Sequence, residues 1–288
     1  MSVNVPGPPA LYVGVDVGGT KSVAVAIADG PGGMEVLDSI RSTSEPGIGT
    51  LSSLVASLLE RLDSFRSGSA VAAHAQPTAV GVGVAGWVDH GRVPVRSPHV
   101  PSLIGIDLAA GLSSTLGVPV VVDNDGNCTA LAAAGQFDTP PRCLVAITFG
   151  TGIGAGLIID GRLHRGANGF AGEPGHMVVD PTGPPCACGQ SGCWETFASG
   201  PGVAHLAAKS ICSGTLHASA VGNTSSPGSE AVFEAARSGD PEASAVVDEF
   251  ATWVARGLGA VANVLDPDVI ALGGGLASSA DTWLPRVR

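Results

Sequence analysis

Near the start of the chain, apolar residues alternate with small or polar ones, and this pattern predicts a β-hairpin. Residues 11–17 are a valine-rich apolar run, and residues 22–28 alternate valine or isoleucine with alanine. Further apolar runs predict buried strands at residues 79–84, 118–122, 143–148, 156–159 and 269–272. Strands therefore occur along the whole length of the chain.

Three stretches between these strands have the spacing or composition of helices. Apolar residues recur at intervals of three and four between Leu51 and Leu62, which predicts an amphipathic helix over residues 50–66. A second stripe runs from Val246 to Leu265, and residues 126–136 are rich in alanine. Residues 166–202 are rich in Gly, Pro and Cys and show little periodicity. Strands that alternate with helices indicate the α/β class.

The hairpin pattern occurs twice. Residues 15–30 and 147–161 each read as a strand, a glycine-rich turn with threonine, a second strand and Asp-Gly. One copy in each half of the chain predicts two related α/β domains, residues 1–122 and a larger C-terminal domain of residues 123–288. A chance match is the alternative, because Gly and Ala are abundant throughout the chain.

Composition limits the cellular compartment in which the protein is expected and the classes of partner that it can bind. The 288 residues carry 14 basic and 25 acidic side chains, a net charge of −11, and Lys21 and Lys209 are the only lysines. This balance argues against a nucleic-acid surface. The first ten residues do not read as a signal peptide, and the uncharged stretches within residues 67–88 and 143–159 are too short or too polar to span a membrane. We expect a cytoplasmic protein.

The glycine-rich turns are candidates for phosphate binding. Successive backbone N–H groups in such a turn attract anions, and the turn at residues 16–21 adds Lys21 as a cation and Asp16 as a carboxylate for hydrated Mg²⁺. One such turn alone is more often an ordinary hairpin. The presence of two threonine-bearing turns and of a glycine triplet at residues 273–275 favours phosphate binding over an ordinary hairpin. The glycine spacing of the first turn differs from that of a Walker P-loop. The segments that match Gly-x-Gly-x-x-Gly are not followed by a predicted helix, which a dinucleotide-binding site requires.

Cysteines and one histidine suggest a metal site. Cys186, Cys188 and Cys193, with His176 ten residues upstream, offer three thiolates and one imidazole, a set typical of structural zinc. Free thiols or a Cys186–Cys193 disulfide are the alternatives. The other cysteines, at positions 128, 143 and 212, match no ligand spacing and are expected to be buried.

Asn124 and Asp125 lie between an apolar strand and the alanine-rich helix. A carboxylate at a strand end, beside an amide, is well placed to act as a general base. Capping of the helix by either side chain is the alternative, and it is the commoner use of these residue types.

Taken together, these motifs resemble one family. The chain is similar to the ROK family of the actin/hexokinase/Hsp70-like superfamily, and within it to actinobacterial-type glucokinases, from about residue 11 to the end. The resemblance rests on residues 16–21, Gly86-Trp87-Val88-Asp89, Asn124-Asp125-Gly126-Asn127, residues 149–156, residues 171–176, the Cys186–Glu195 segment and Gly273-Gly274-Gly275. It implies a ribonuclease H-like α/β fold of two domains with a cleft between them.

The resemblance also implies an activity, which is phosphorylation of a hexose 6-hydroxyl by ATP, with glucose as the expected sugar. It implies that Asp125 is the catalytic base and that Mg²⁺ and a structural Zn²⁺ are present. The implied sugar ligands are Asn124, Glu173, His176 and Glu195. The implied phosphate ligands are Gly18, Gly19, Thr20, Lys21, Gly150, Thr151 and Gly152, and Gly273, Gly274 and Gly275 would pack near the adenosine. Relatives of this kind are often dimers or tetramers.

Three features depart from the family pattern. His99 stands where an asparagine that contacts the sugar is expected, Ala133 stands where a glutamate is expected, and the chain ends at Arg288, before a strand and helix that relatives carry. The His99 departure leaves the identity of the sugar open, and the end of the chain at Arg288 predicts a less stable protein. Kinases for N-acetylmannosamine, N-acetylglucosamine, fructose or allose remain alternatives. A sugar sensor without a DNA-binding domain and a polyphosphate donor are others.

Overall fold

The computed structural model describes residues 10–30, 33–66, 76–89, 93–97, 99–225 and 227–288. The chain divides into two compact units. Unit 1 contains Met1–Cys128 and Gly166–Phe170, and unit 2 contains Thr129–Arg165 and Ala171–Arg288. The segment that we expect not to be a signal peptide falls largely on residues 1–9, and the first part of the membrane-span candidate at 67–88 falls on residues 67–75. Both of these ranges lie outside the described residues.

Unit 1 is built on a five-stranded sheet. Its strands and complete helices are β1 (Ala10–Val17), β2 (Ser22–Gly30), β3 (Gly33–Ser42), α1 (Ile48–Arg66), β4 (Ala79–Val84), β5 (Trp87–Asp89), β6 (Val93–Arg96), α2 (Leu108–Leu116) and β7 (Val120–Asn124). The sheet order is β3-β2-β1-β4-β7, and β5 pairs with β6 in a separate ribbon. Strands β1, β2 and β3 are antiparallel, whereas β4 and β7 run parallel to β1.

The core of unit 1 follows from the alternation of side chains along β1. Leu11, Val13, Val15 and Val17 are buried, and they pack in one cluster with alternate residues of β2 and the buried stripe of α1. The pairing of Val17 with Ser22 closes the predicted hairpin around residues 18–21. The strands predicted at residues 11–17, 22–28 and 79–84 and the helix predicted at residues 50–66 are confirmed.

Unit 2 has a four-stranded sheet covered by helices. Its elements are the C-terminal part of α3 (Asp125–Ala134), then β8 (Leu144–Phe149), β9 (Ile153–Ile159), β10 (Arg162–Leu163), α4 (Gly200–Ser213), α5 (Ser229–Arg237), α6 (Pro241–Leu265), β11 (Val269–Gly273) and the short α7 (Ala280–Trp283). The sheet order is β10-β9-β8-β11. The predicted apolar stripe lies on α6, where Val246, Phe250 and Val254 are buried.

The two sheets repeat one arrangement. In unit 1, three antiparallel strands (β3, β2, β1) are followed by the parallel strand β4, and in unit 2 β10, β9 and β8 are followed by the parallel strand β11. The hairpins β1–β2 and β8–β9, which carry the repeated sequence, occupy equivalent places. The strand order of the two units therefore agrees over these four strands.

Several elements differ from the sequence-based predictions. Residues 33–42 form the edge strand β3, and residues 108–116 form α2, neither of which the apolar pattern predicted. The strand predicted at 118–122 is β7 at Val120–Asn124, so Asp125 begins α3. Residues 143–159, the stronger membrane-span candidate, form β8 and β9. No helix in the described part of the chain is long and apolar enough to cross a membrane.

Candidate functional site

The first glycine-rich turn joins β1 to β2 and borders a cavity in unit 1. The Gly18 N–H donates to the carbonyl of Lys21 at 3.1 Å, which closes the turn. Among the described residues, the N–H groups of Gly19 and Thr20 have no hydrogen-bond partner. The cavity has a volume of about 330 Å³ and is also lined by residues 43–46 and 99–102. Such unpaired backbone donors suit an anion.

A loop after β6 lies against this turn and brings His99 to it. A Cβ on Gly19 would lie 2.8 Å from the His99 carbonyl oxygen, so no larger residue fits at position 19 unless the loop moves. Buried Ser97 fixes the loop, because its hydroxyl donates to the Ala85 carbonyl at 2.5 Å and accepts from the Val100 N–H at 2.9 Å. Sequence reasoning missed Ser97, which carries no motif.

Asp16 and Lys21 place opposite charges at the two ends of the turn. Protein atoms around Asp16 displace part of its hydration and raise the pKa of this carboxyl, and the charge of Lys21 opposes that rise. The Asp16 side chain is still reached by solvent. One accessible carboxylate beside a turn with unpaired backbone donors fits hydrated Mg²⁺, which usually takes one or two carboxylates and substrate phosphates as ligands.

The junction of β7 and α3 presents Asn124 and Asp125 together. The Asn124 Oδ1 accepts from the Asn127 N–H at 3.1 Å, so Asn124 does cap the helix, as the alternative interpretation held. Its Nδ2 donates to the Gly86 carbonyl at 2.9 Å and to Asp125 Oδ1 at 3.0 Å. The Gly126 N–H also donates to Asp125 Oδ1, at 2.9 Å. One amide therefore caps the helix and holds the carboxyl.

The Asp125 carboxyl is more basic than an ordinary aspartate. Burial raises its pKa to about 6, against the opposing effect of the Gly126 N–H. The negative charge of Asp16 raises this pKa further, and His99 lowers it. At neutral pH the group is still mostly ionised, yet it holds a proton more tightly than an aspartate in water. These are the properties that a general base needs.

In unit 2, the predicted zinc ligands come together. The ligand atoms of His176, Cys186, Cys188 and Cys193 all lie within 4.8 Å of one another. Tetrahedral zinc with bonds of about 2.0–2.3 Å would hold them about 3.5 Å apart, so the set fits the metal after a small contraction. No disulfide joins the six cysteines, which excludes the Cys186–Cys193 alternative in this structure.

Tight local turns bring together His176, Cys186, Cys188 and Cys193, which we call the zinc cluster. The Cys186 N–H donates to the Gln190 carbonyl at 2.8 Å, and the Gly189 N–H donates back to the Cys186 carbonyl at 3.0 Å. Burial opposes ionisation of the Cys188 thiol, but the Gln190 N–H and the neighbouring thiols donate to its sulfur and lower its pKa to about 7. Cys188 can thus supply a thiolate near neutral pH.

The expectation for the other three cysteines is wrong. Cys128 and Cys143 are only half-buried, and Cys212 is exposed. Cys212 lies outside the buried face of α4, which is formed by Val203, Leu206 and Ala207.

Two carboxylates, Glu173 and Glu195, flank the ring of His176. The Nδ1 atom lies 3.6 Å from Cys186 Sγ and 3.5 Å from Glu195 Oε1, whereas Nε2 lies 4.0 Å from Glu173 Oε2. The Cys186 thiol also donates to Glu195 Oε1 at 3.2 Å. Nδ1 therefore faces the zinc cluster, and Nε2 faces away from it towards Glu173. The structure brings these predicted sugar ligands together around one histidine.

The second glycine-rich turn, at residues 150–152, lies beside Glu195 and the glycine triplet. The Gly150 N–H donates to the Gly152 carbonyl at 2.9 Å. A Cβ on Gly152 would lie 2.8 Å from Glu195 Oε2, so Glu195 reaches the turn itself. Gly274 has a φ of +88°, and a Cβ there would lie 2.5 Å from the Phe149 carbonyl oxygen. Only glycine therefore allows the triplet to approach the end of β8.

The predicted residues thus form groups within each unit. Unit 1 holds Asp16, residues 18–21, His99, Asn124 and Asp125, and unit 2 holds residues 150–152, Glu173, the zinc cluster, Glu195 and residues 273–275. Ala133 packs with a small apolar cluster around Ala130 and Leu144. A cavity of about 580 Å³ near α5 contains none of the predicted residues.

Comparison with known proteins gives one consistent result. The sequence model of the ROK family matches residues 12–288. A glucokinase of Streptomyces coelicolor is 32% identical over 287 residues, which cover 96% of this chain and 86% of the relative. An N-acetylmannosamine kinase of Citrobacter koseri is 33% identical over 216 residues, which cover 74% of this chain and 70% of the relative.

A solved structure agrees in fold over nearly the whole chain. The crystal structure of a ROK family glucokinase from Streptomyces griseus, in complex with glucose and AMPPNP, is 32% identical and covers 97% of this chain and 88% of that one, with a TM-score of 0.78. This likeness confirms the actin/hexokinase-like α/β fold class. With a family model that spans almost its entire length, the chain belongs to the ROK family.

Proposed function

We propose that this protein is an ATP-dependent hexose kinase that transfers the γ-phosphoryl group of ATP to the 6-hydroxyl of glucose. Similarity to glucokinases along nearly the whole chain supports the reaction class. The observation that carries the proposal is the Asp125 carboxyl, which is held by two donors at the start of α3 and has a pKa of about 6.

In the proposed reaction, Asp125 acts as the catalytic base. Its carboxylate accepts the proton of the 6-hydroxyl as that oxygen attacks the γ-phosphorus, and the bond to the leaving ADP oxygen breaks. Phosphoryl transfer requires little covalent work from the protein, so positioning and charge stabilisation supply most of the rate. A positioned base typically adds a factor of about 10²–10⁴.

The charge of the phosphates is met by the two glycine-rich turns. We assign this role to Gly18, Gly19, Thr20, Lys21, Gly150, Thr151 and Gly152. Asp16 would hold hydrated Mg²⁺, which supplies positive charge to the transferring group when it is bound. Gly273, Gly274 and Gly275 would pack near the adenosine. The contact between the triplet and the end of β8 supports a shared role for these segments.

Sugar binding is assigned to Asn124, His99, Glu173, His176 and Glu195. Carboxylate, imidazole and amide groups suit a polyol, which offers a donor and an acceptor at each hydroxyl. The direction of His176 supports a double role, since Nδ1 faces the zinc cluster and Nε2 faces Glu173. Zinc would be held by His176, Cys186, Cys188 and Cys193, and its function there is to fix the fold of the loop.

A second substrate is supported by one relative. The Citrobacter koseri protein named N-acetylmannosamine kinase is as similar to this chain as the glucokinases are, although over a shorter length. His99 lies at the turn cavity in unit 1. Because it stands where an asparagine is expected, it leaves the identity of the sugar undetermined. Phosphorylation of N-acetylmannosamine is therefore the second candidate function.

The proposal is tested by measuring ADP release from Mg-ATP with a panel of hexoses and acetylated hexosamines. We expect turnover with glucose and a loss of about 10²–10⁴-fold in kcat for Asp125→Ala. Asp138→Ala, at an exposed aspartate beyond α3, is the matched control and should keep the activity. Turnover on no sugar would favour a sugar-sensing protein, and sugar phosphate formed from polyphosphate in the absence of ATP would change the donor. Activity that survives Asp125→Ala would refute the assigned base.

A further inference from the structure

Two buried polar residues next to the proposed base have no role in the reaction described above. Asp123 lies near the end of β7 with 6% of its surface exposed, and Asn127 lies in the first turn of α3 with 2% exposed. The Asp123 Oδ1 accepts from the Asn127 Nδ2 at 2.7 Å and from the Asn124 N–H at 2.8 Å. This pair therefore spans the turn that carries Asp125.

Asn127 is kept in the core despite an unfavourable feature. Its Oδ1 is buried and has no hydrogen-bond partner among the described residues. A buried unpaired polar atom costs about 1–3 kcal/mol, and an apolar side chain at this position would avoid that loss. The side-chain interaction that asparagine provides here is the hydrogen bond from Nδ2 to Asp123.

The orientation of the Asn124 amide links this pair to Asp125. Its Oδ1 accepts from the Asn127 N–H, and its Nδ2 donates to Gly86 and to Asp125 Oδ1. A flipped amide would place an oxygen against the oxygens of Gly86 and Asp125. The backbone of Asn124 is in turn held by Asp123. A shift of the Asp123–Asn127 pair therefore moves the donor that holds the Asp125 carboxyl.

We propose that Asp123 and Asn127 are positioning residues for phosphoryl transfer, because their hydrogen bond fixes the β7–α3 turn and, through Asn124, the direction of the Asp125 carboxyl. This inference rests on the proposed function of Asp125. Within unit 1, the other charged groups that act on Asp125 are Asp16 and His99. Neither of them takes part in the hydrogen bonds between residues 123 and 127.

Asn127→Asp tests the inference through a signature that general destabilisation does not produce. In this variant two carboxyls face each other across a 2.7 Å contact, so they share one proton at low pH and repel once both are ionised. We expect kcat relative to the wild type to be near one at pH 5.5 and to fall at least about tenfold by pH 8.5, with a smaller change in the KM for sugar. Asn263→Asp on the exposed face of α6 adds the same charge elsewhere and should follow the wild-type profile.

Asn127→Ala keeps the inference testable if the aspartate variant does not fold. It removes the donor to Asp123 without adding charge. We therefore expect kcat to fall about ten- to hundredfold at every pH, without the further decrease at high pH that Asn127→Asp should show. A wild-type kcat in Asn127→Ala, or a wild-type pH profile in Asn127→Asp, would overturn the inference.

A measurement without turnover separates this inference from the proposed function. The ¹⁵N resonances of the Asn124 side-chain amide and of the Gly126 N–H report the two hydrogen bonds to Asp125. We expect both to move in Asn127→Ala and neither to move in Asn263→Asp. Resonances that stay in place would refute the positioning role, whereas a wild-type protein without activity on any sugar would refute the kinase proposal alone.

Discussion

At the scale of single residues, Asp125 shows how burial makes a carboxyl more basic at the expense of stability. Removing water from the carboxyl disfavours its charged form, and the hydrogen bond from the Gly126 N–H offsets only part of this effect. The residue type alone predicts an ordinary aspartate with a pKa near 3.9. The raised value depends on the surroundings of the β7–α3 junction.

The raised pKa predicts a dependence of stability on pH. In the unfolded chain Asp125 ionises near its ordinary pKa, so between about pH 4 and pH 6 the folded state binds more protons, and its stability falls as pH rises through this window. The asparagine in Asp125→Asn does not ionise, so the stability of this variant does not fall in that pH window. We expect it to be more stable than the wild type by up to about 3 kcal/mol at pH 8 and by little at pH 4.

Urea denaturation of both proteins at the two pH values measures this difference. The comparison with Asp138→Asn, an exposed aspartate, removes effects of charge alone. Equal stability of the wild type and Asp125→Asn at pH 8 would mean that the carboxyl is not held in a desolvated site. The same window predicts that kcat rises as pH increases through about 6, since the base must be ionised.

At the scale of elements, the predicted zinc ligands and the proposed sugar ligands share one segment of the chain. His176 belongs to the His/Cys cluster and neighbours Glu173, and Glu195 lies two residues after Cys193 and contacts the Cys186 thiol. Movement of the cluster therefore moves the proposed sugar ligands. A loop with little regular structure needs such a cross-link to hold side chains in place.

Cys188→Ser should weaken both metal retention and sugar binding. Loss of one thiolate leaves three ligands, so we expect bound zinc to fall below one equivalent, the KM for sugar to rise at least about tenfold and the melting temperature to drop. Metal analysis, steady-state kinetics and thermal denaturation measure these effects. Cys212→Ser, at an exposed cysteine of α4, is the control. A wild-type KM in Cys188→Ser would show that the two sites are independent.

The glycine triplet after β11 allows a second test at this scale. Gly274→Ala introduces a Cβ at a φ of +88° and within 3 Å of the backbone of Phe149, so β8 and the following turn must move. We expect the KM for ATP to rise about tenfold or more, while the KM for sugar changes less. Gly259→Ala on α6 meets no atom within 4 Å and should behave as the wild type. An unchanged KM for ATP would remove the triplet from the nucleotide site.

At the scale of the whole molecule, an acidic protein must bind an anionic substrate. The net charge is −11, so the overall surface repels ATP. In the function proposed above, the positive potential for the phosphates would come from the backbone N–H groups of the turns, from Lys21 and from Mg²⁺. This is consistent with a chain that has only two lysines, one of which lies in the first turn.

Ligand binding should stabilise the molecule by an amount set by the ratio of ligand concentration to Kd. At a sugar concentration one hundred times the Kd, binding adds about 2.7 kcal/mol to the free energy of unfolding. For a chain of this length, that corresponds to a rise of about 5–10 °C in Tm. We expect D-glucose to give this rise in a thermal denaturation experiment and L-glucose to give none. An equal effect of the two enantiomers would exclude specific binding.

Much of the architecture was determined by the sequence itself. The alternation in residues 11–17 and 22–28 specified a hairpin, and the stripe from Val246 to Leu265 specified a long helix, because these patterns depend only on neighbours along the chain. The short spacing from Cys186 to Cys193 likewise predicted that these thiols come together. The repeated hairpin indicated a repeated sheet for the same reason.

Other features were decided only by the tertiary structure. β3 is an edge strand whose Met34 and Val36 are exposed, so it lacks the apolar face that would have predicted it, and α2 contains Gly111, which lies against Ile48 of α1. The basic Asp125 and the Asp123–Asn127 pair depend on burial. Burial is produced by residues far apart in the chain, and no local pattern records which segments will cover a given side chain.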